Sequence, residues 1–133
     1  MGIERVNPDG LAAPSGFAHA VIATGGRLVF LAGQTALDAS GAIVGSTLAE
    51  QFEQALRNLL TALAAAGGGP SDLASLTVYT VDLASYRTHG REIGEVWRRL
   101  VGRQYPAMAA VGVSRLWDPD ALVEVQGHAV IGS

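Results

Sequence analysis

Residues 107–113 read as an extended run whose two sides are both apolar or small: Ala109, Val111 and Val113 alternate with Met108, Ala110 and Gly112. Successive side chains of a strand point to opposite faces, so this run needs apolar cover above and below. What the rest of the chain can offer as cover is the strongest constraint on the fold.

Helical cover comes from two segments. Residues 48–66 place Leu48, Phe52, Leu56, Leu59, Leu60 and Leu63 at spacings of three and four, the single stripe of an amphipathic helix. Thr47 and Glu50 fit a capping box at its start, and Gly67-Gly68-Gly69-Pro70 ends it. A second helix is predicted over residues 89–103, with Ile93, Val96, Trp97, Leu100 and Val101 inward. Glu92, Glu95, Arg98 and Arg99 fall on its solvated side.

Extended runs are predicted at residues 3–7, a short edge strand, and at 17–23 and 27–32, which the Gly25-Gly26 pair should fold into an antiparallel hairpin. Residues 73–81, rich in β-branched and aromatic side chains, read as a central strand. Residues 107–113 and 121–131 follow, joined by a turn at Trp117-Asp118-Pro119-Asp120. The order β-β-β-α-β-α-β-β in 133 residues predicts one α+β domain, a six-stranded, mostly antiparallel sheet with both helices packed on one face. Two helices cannot cover the second face as well, which implies an oligomer that buries that face between subunits.

Composition narrows the chemistry. The chain has no cysteine, and its nine basic residues are all arginine. Thiolate metal sites, cysteine nucleophiles, Schiff-base lysines and P-loop lysines are therefore excluded. With a net charge of −3 and scattered arginines, of which only Arg98, Arg99 and Arg103 cluster, there is no basic face for a nucleic acid. No apolar run approaches the ~20 residues of a membrane span, and no secretory pattern opens the chain. The expectation is a soluble cytoplasmic protein with no nucleic-acid or membrane partner. His19, His89 and His128 show neither HxH nor HxxxH spacing, so no metal is expected, and no nucleotide-binding motif is present.

Four segments, in order, resemble the Rid family (RidA/YjgF-like reactive-intermediate deaminases). They are Phe17-Ala18-His19-Ala20-Val21, Leu31-Ala32-Gly33-Gln34, the strand from Leu73 ending in Asp82-Leu83, and the block YPAMAAVGVSRLWDPDALVEV from Tyr105. The resemblance spans nearly the whole chain. It implies the chorismate-mutase-like (YjgF-like) fold, a homotrimer with ligand clefts at the subunit interfaces, and no cofactor. It also implies a small-molecule substrate, an enamine or imine hydrolysed to a carbonyl compound and ammonia.

In that family a Pro-Ala-Arg triplet opens the strand at residue 106, and the arginine grips the substrate's carboxylate. This sequence has Met108 at the arginine's position, Ala110 for a frequent cysteine, Phe17 for a tyrosine and Gly90 for an asparagine, while Gly33 and Glu124 are kept. By resemblance, Glu124 orients the attacking water, and Phe17, His19, Gly33, Gly90, Met108 and Ala110 shape the cleft. A planar guanidinium donates two parallel hydrogen bonds to a carboxylate, which a thioether cannot do. Poor activity on small α-imino acids follows, with a preference for an uncharged or larger ligand.

Each residue also has a plainer reading. Glu124 would be an exposed edge carboxylate or an ion-pair partner of Arg115, Met108 a filler between subunits, and Gly33 the site of an unusual turn. By resemblance His19 lies near the cleft, where it would donate a hydrogen bond; Arg115 is either a substitute cation or a solvated strand end beside Asp118 and Asp120. Three functions stay open: a C–N hydrolase, a non-catalytic small-molecule-binding module in the same cleft, and a ribonuclease or translation inhibitor. The last is weakened by the acidic balance and the missing lysine.

Overall fold

A computed structural model describes residues 2–132. Six strands and three helices follow in the order β1 (Gly2–Val6), β2 (Ala20–Thr24), β3 (Arg27–Gln34), α1 (Leu48–Ala65), β4 (Leu73–Thr80), α2 (Leu83–Thr88), α3 (Gly90–Leu100), β5 (Ala107–Gly112) and β6 (Val123–Ile131). A 3-10 turn at Pro70–Asp72 leads into β4.

The six expected strands divide between two sheets. β1 and β2 form an antiparallel pair, and the larger sheet has the order β3-β6-β4-β5, antiparallel except for β4 and β5. The hairpin expected between the runs at 17–23 and 27–32 is corrected here: among the described residues no ladder joins β2 to β3. Gly25 and Gly26 do take the left-handed φ of a tight reversal, 70° and 79°. A Cβ on Gly26 would overlap the Ile131 carbonyl oxygen, so the chain leaves the turn already seated against β6, while β2 is paired by β1. A local turn reverses the chain without dictating which strand it joins.

α1 forms where its periodicity placed it. Thr47 Oγ1 accepts the Glu50 N–H at 3.2 Å, and Glu50 Oε1 accepts the Thr47 N–H at 3.1 Å and the Ser46 N–H at 2.9 Å. Gly67, at φ +98°, closes the other end, with the Gly68 N–H donating to Leu63 O at 3.0 Å. Thr47→Ala should cost about 1 kcal/mol, because it strips one half of the capping box. Chemical denaturation of wild type and variant measures this; an unchanged midpoint would show the cap to be dispensable.

The core lies between α1 and α3 on one side and the larger sheet on the other. Leu48, Phe52, Leu56, Leu59 and Leu63 of α1 meet Leu76 and Val78 of β4 and Val123 and Val125 of β6. The second expected helix forms as α3; α2, capped by Asp82 Oδ1 accepting the Ser85 N–H at 3.0 Å, precedes it outside the expected range, the two separated at His89. Both lie on the helical side, as α1 does. The opposite face presents Leu28 at 59% and Phe30 at 72% exposure, together with Val111, large apolar groups facing away from the core. No helix among the described residues is long and apolar enough to cross a membrane.

Candidate functional site

Strand register assigns the candidate residues to faces. Met108 is opposite Leu76, and Ala110 is opposite Val78; both partners are buried beneath the helices, so these side chains share the helical face. Glu124 is opposite Tyr79, whose hydroxyl donates to Gln126 Oε1 at 3.2 Å on the open face. Along β6, Val123, Val125, Gly127 and Ala129 are buried, while Glu124, Gln126 and His128 point the other way. Met108 and Glu124 therefore sit on opposite sides of the sheet.

The helical-face group encloses a cavity of about 470 Å³ between β5 and α3. Phe17, Gly90, Met108 and Ala110 all line it, beside the aromatic rings of Trp97 and Tyr105. Backbone bonds bring Phe17 there: the Ala18 N–H donates to Pro106 O at 2.9 Å and forms a parallel bridge with Ala107. Trp97 and Tyr105 stack with centroids 5.4 Å apart and planes 12° from parallel, making a flat wall. Phe52 and Tyr86 reach the cavity from α1 and α2. Burial pushes the Tyr86 phenol up to about 12, so it remains a neutral donor at physiological pH. Among the described residues, the lining carries no charged side chain apart from Arg98.

His19 does not line the cavity. Its Nε2 lies 2.7 Å from the Ala12 carbonyl oxygen, and its ring meets that of Phe17 edge-on at 5.0 Å. The histidine braces the loop that carries Phe17. His89 and His128 are engaged elsewhere, with Ser85 and Ser75.

Gly33 and Glu124 form the open-face group. A Cβ on residue 33 would collide with Glu124 Oε2, so the carboxylate rests on bare backbone that only glycine leaves free. No ion pair reaches Glu124 among the described residues, Arg115 included; Glu53 takes both that occur, with Arg57 and Arg99. Desolvation holds the Glu124 carboxyl above the usual glutamate range, and the negative charge of Asp118 adds to that effect. Asp118 is fixed in turn by Thr35 Oγ1, which donates to its Oδ2 at 2.7 Å. Trp97 and Arg98 were placed on α3 by periodicity, but the sequence did not mark either as part of a cavity, nor Asp118 as a neighbour of Glu124. Their contributions depend on register between distant segments.

Residues 8–131 match the family model for Endoribonuclease L-PSP. A RutC family protein of Pyrococcus horikoshii is 35% identical over 105 residues, 78% of this chain and 79% of its own length. Human 2-iminobutanoate/2-iminopropanoate deaminase is 29% identical over 107 residues, 80% of this chain and 74% of its own. In structure, YyfB of Yersinia pestis, a Rid-family protein described as of unknown function, superposes with a TM-score of 0.84 at 32% identity, covering 98% of this chain and all of its own (100%). With a matching family model, matching relatives and a matching fold over nearly its full length, the chain belongs to the Rid (YjgF/RidA-like, Endoribonuclease L-PSP) family.

Proposed function

We infer that the protein hydrolyses the C–N bond of an enamine or imine that lacks a simple α-carboxylate, at a site assembled from two protomers of a homotrimer. The observation that carries this reading is Glu124: a carboxylate of raised proton affinity, without an ion pair among the described residues, seated on Gly33, on the face that the helices leave bare. Because the Phe17–Met108 cavity lies on the other face, one chain cannot bring both groups to one ligand. A neighbouring copy placing its open face against the cavity mouth would do so, and would also cover Leu28, Phe30 and Val111.

The chemistry is short. Glu124 accepts a proton from a water as that water's oxygen attacks the electrophilic C=N carbon. That proton passes to nitrogen to give the neutral carbinolamine; its hydroxyl proton then moves to nitrogen as the C=O bond forms, the C–N bond breaks, and ammonia leaves with a carbonyl product. A carboxylate held above its ordinary range accepts and returns that proton more readily than a fully solvated one. That several relatives are named 2-iminobutanoate/2-iminopropanoate deaminase supports the reaction class. The apolar lining around Met108 and Ala110 favours the alternative of a binding module that performs no chemistry. The ribonuclease reading finds no support in the net charge of −3.

Ammonia release from freshly generated imines, with and without an α-carboxylate, tests the proposal. Turnover is expected on the substrates without one. Met108→Arg should shift kcat/KM toward α-imino acids by about tenfold or more, the value of one charge-assisted bidentate contact. Ligand-induced thermal stabilisation with no ammonia from any substrate would instead establish the binding module.

A further inference from the structure

The cavity has lost the family's arginine at position 108, yet it contains a cation from another wall. Arg98 lines it from α3, and it is the single charged side chain to do so. Its two neighbours in kind are committed elsewhere. Arg57 and Arg99 both bond to Glu53, at 2.9 Å and 3.2 Å, whereas Arg98 makes no ion pair and donates no hydrogen bond among the described residues.

Helical spacing explains the difference. Arg99 is directed to Glu53, with Glu95 four residues before it adding a smaller favourable charge; four residues before Arg98 is Gly94, and Glu95, three before, makes no ion pair with it among the described residues. Gly90, Gly94 and Arg98 recur at intervals of four and so form one stripe down α3, about 12 Å from end to end. All three line the cavity. Arg98 Nη1 lies 3.5 Å from where a Cβ on Gly94 would be, so the guanidinium folds back over bare helix toward the cavity. At Gly90 a Cβ would meet nothing within 4 Å, leaving that end of the stripe open. The floor opposite is β5, where Met108 and Ala110 supply only apolar surface.

We propose that Arg98 is the anion anchor of this cavity, and that it selects an amphipathic ligand whose carboxylate is separated from the reacting carbon by an apolar spacer. Only the placement of a reacting carbon rests on the hydrolase reading; the recognition itself needs no turnover. The stacked Trp97 and Tyr105 rings and Met108 receive the apolar part. The exposed Arg98 guanidinium, in no ion pair among the described residues, pairs with the distal anion. A cation on the helical wall holds the anion away from β5, which is why the loss of charge at position 108 excludes α-carboxylates without making the site neutral.

Calorimetry on the intact protein distinguishes the outcomes, with 4-phenylbutyrate, 4-phenylbutanol and 2-oxobutyrate as probes. Expected is at least tenfold tighter binding of 4-phenylbutyrate than of the alcohol, and weaker binding of 2-oxobutyrate than of 4-phenylbutyrate. Arg98→Gln should erase the preference for the acid while leaving alcohol affinity as it was. Arg98→Lys should restore part of it, and Arg91→Gln, outside the cavity, should change nothing. Equal affinity for acid and alcohol, equal losses of both in Arg98→Gln, or no binding of any probe at millimolar concentration overturns the proposal. If charge discrimination is found but no imine yields ammonia, the anchor stands and the hydrolase reading falls.

Discussion

Phe52→Ala should lower the unfolding free energy by about 3–5 kcal/mol, on the order of 10 °C in Tm, and should change what the cavity accepts. Phe52 is 1% exposed on the inward stripe of α1, so the ring's removal forfeits its transfer free energy and leaves a hole. It also lines the cavity, with its ring edge-on to that of Tyr86 at 6.3 Å. The new space opens into a ligand site instead of a sealed core, so a bulkier apolar ligand should bind the variant better and recover part of the lost stability. Leu59→Ala is the control: at 0% exposure it should cost about 2–5 kcal/mol, yet it does not line the cavity and should leave ligand preference alone. Thermal scans of both variants, with and without an aromatic carboxylate, separate the effects. Identical ligand responses would mean that Phe52 serves the core only.

The contrast between these two leucine-stripe positions shows where sequence reading succeeds and where it stops. α1 was legible almost to the residue, because its determinants are local: a capping box within four residues, an apolar stripe with helical period, and a glycine at the end. α2 was missed, because Leu83–Thr88 has no stripe of its own and is held by the Asp82 cap and by packing of Tyr86. The β2–β3 ladder was expected from Gly25-Gly26, but partner choice was decided by Ile131, more than one hundred residues away in the chain. The candidate site divides in the same way. Identities at 17, 33, 90, 108, 110 and 124 were legible, whereas the face each occupies was not. That depends on the parallel register of β4 with β5 and the antiparallel register of β4 with β6. Those registers separate Met108 from Glu124, and the packing of α3 against β5 brings Arg98 to the cavity, facts with no short-range signature.

Glu124→Gln should abolish most imine hydrolysis, lowering kcat by about 10²–10⁴, while making the folded protein more stable at neutral pH. The two effects share one cause. Desolvation, then the Asp118 charge, raises the proton affinity of this carboxyl in the fold relative to the unfolded chain. A group whose folded pKa is raised gives stability that is complete below its unfolded value and is lost as pH rises through the folded one. Near pH 7 the wild type therefore carries an ionised carboxylate that the fold disfavours, and glutamine removes that burden without changing the shape. The Tm advantage of Glu124→Gln should be largest at pH 7 and should shrink toward zero as pH falls into the ordinary carboxylate range, where the wild type is also neutral. Activity follows the opposite direction: the wild-type rate should climb with pH through a value above that of a free glutamate and then level off, because only the ionised form takes a proton from water. A variant that keeps its turnover would remove Glu124 from the chemistry. A variant less stable than wild type at pH 7 would show instead that the carboxylate is held by contacts stronger than its desolvation, and that the open face around Gly33 was built to keep a charge in place.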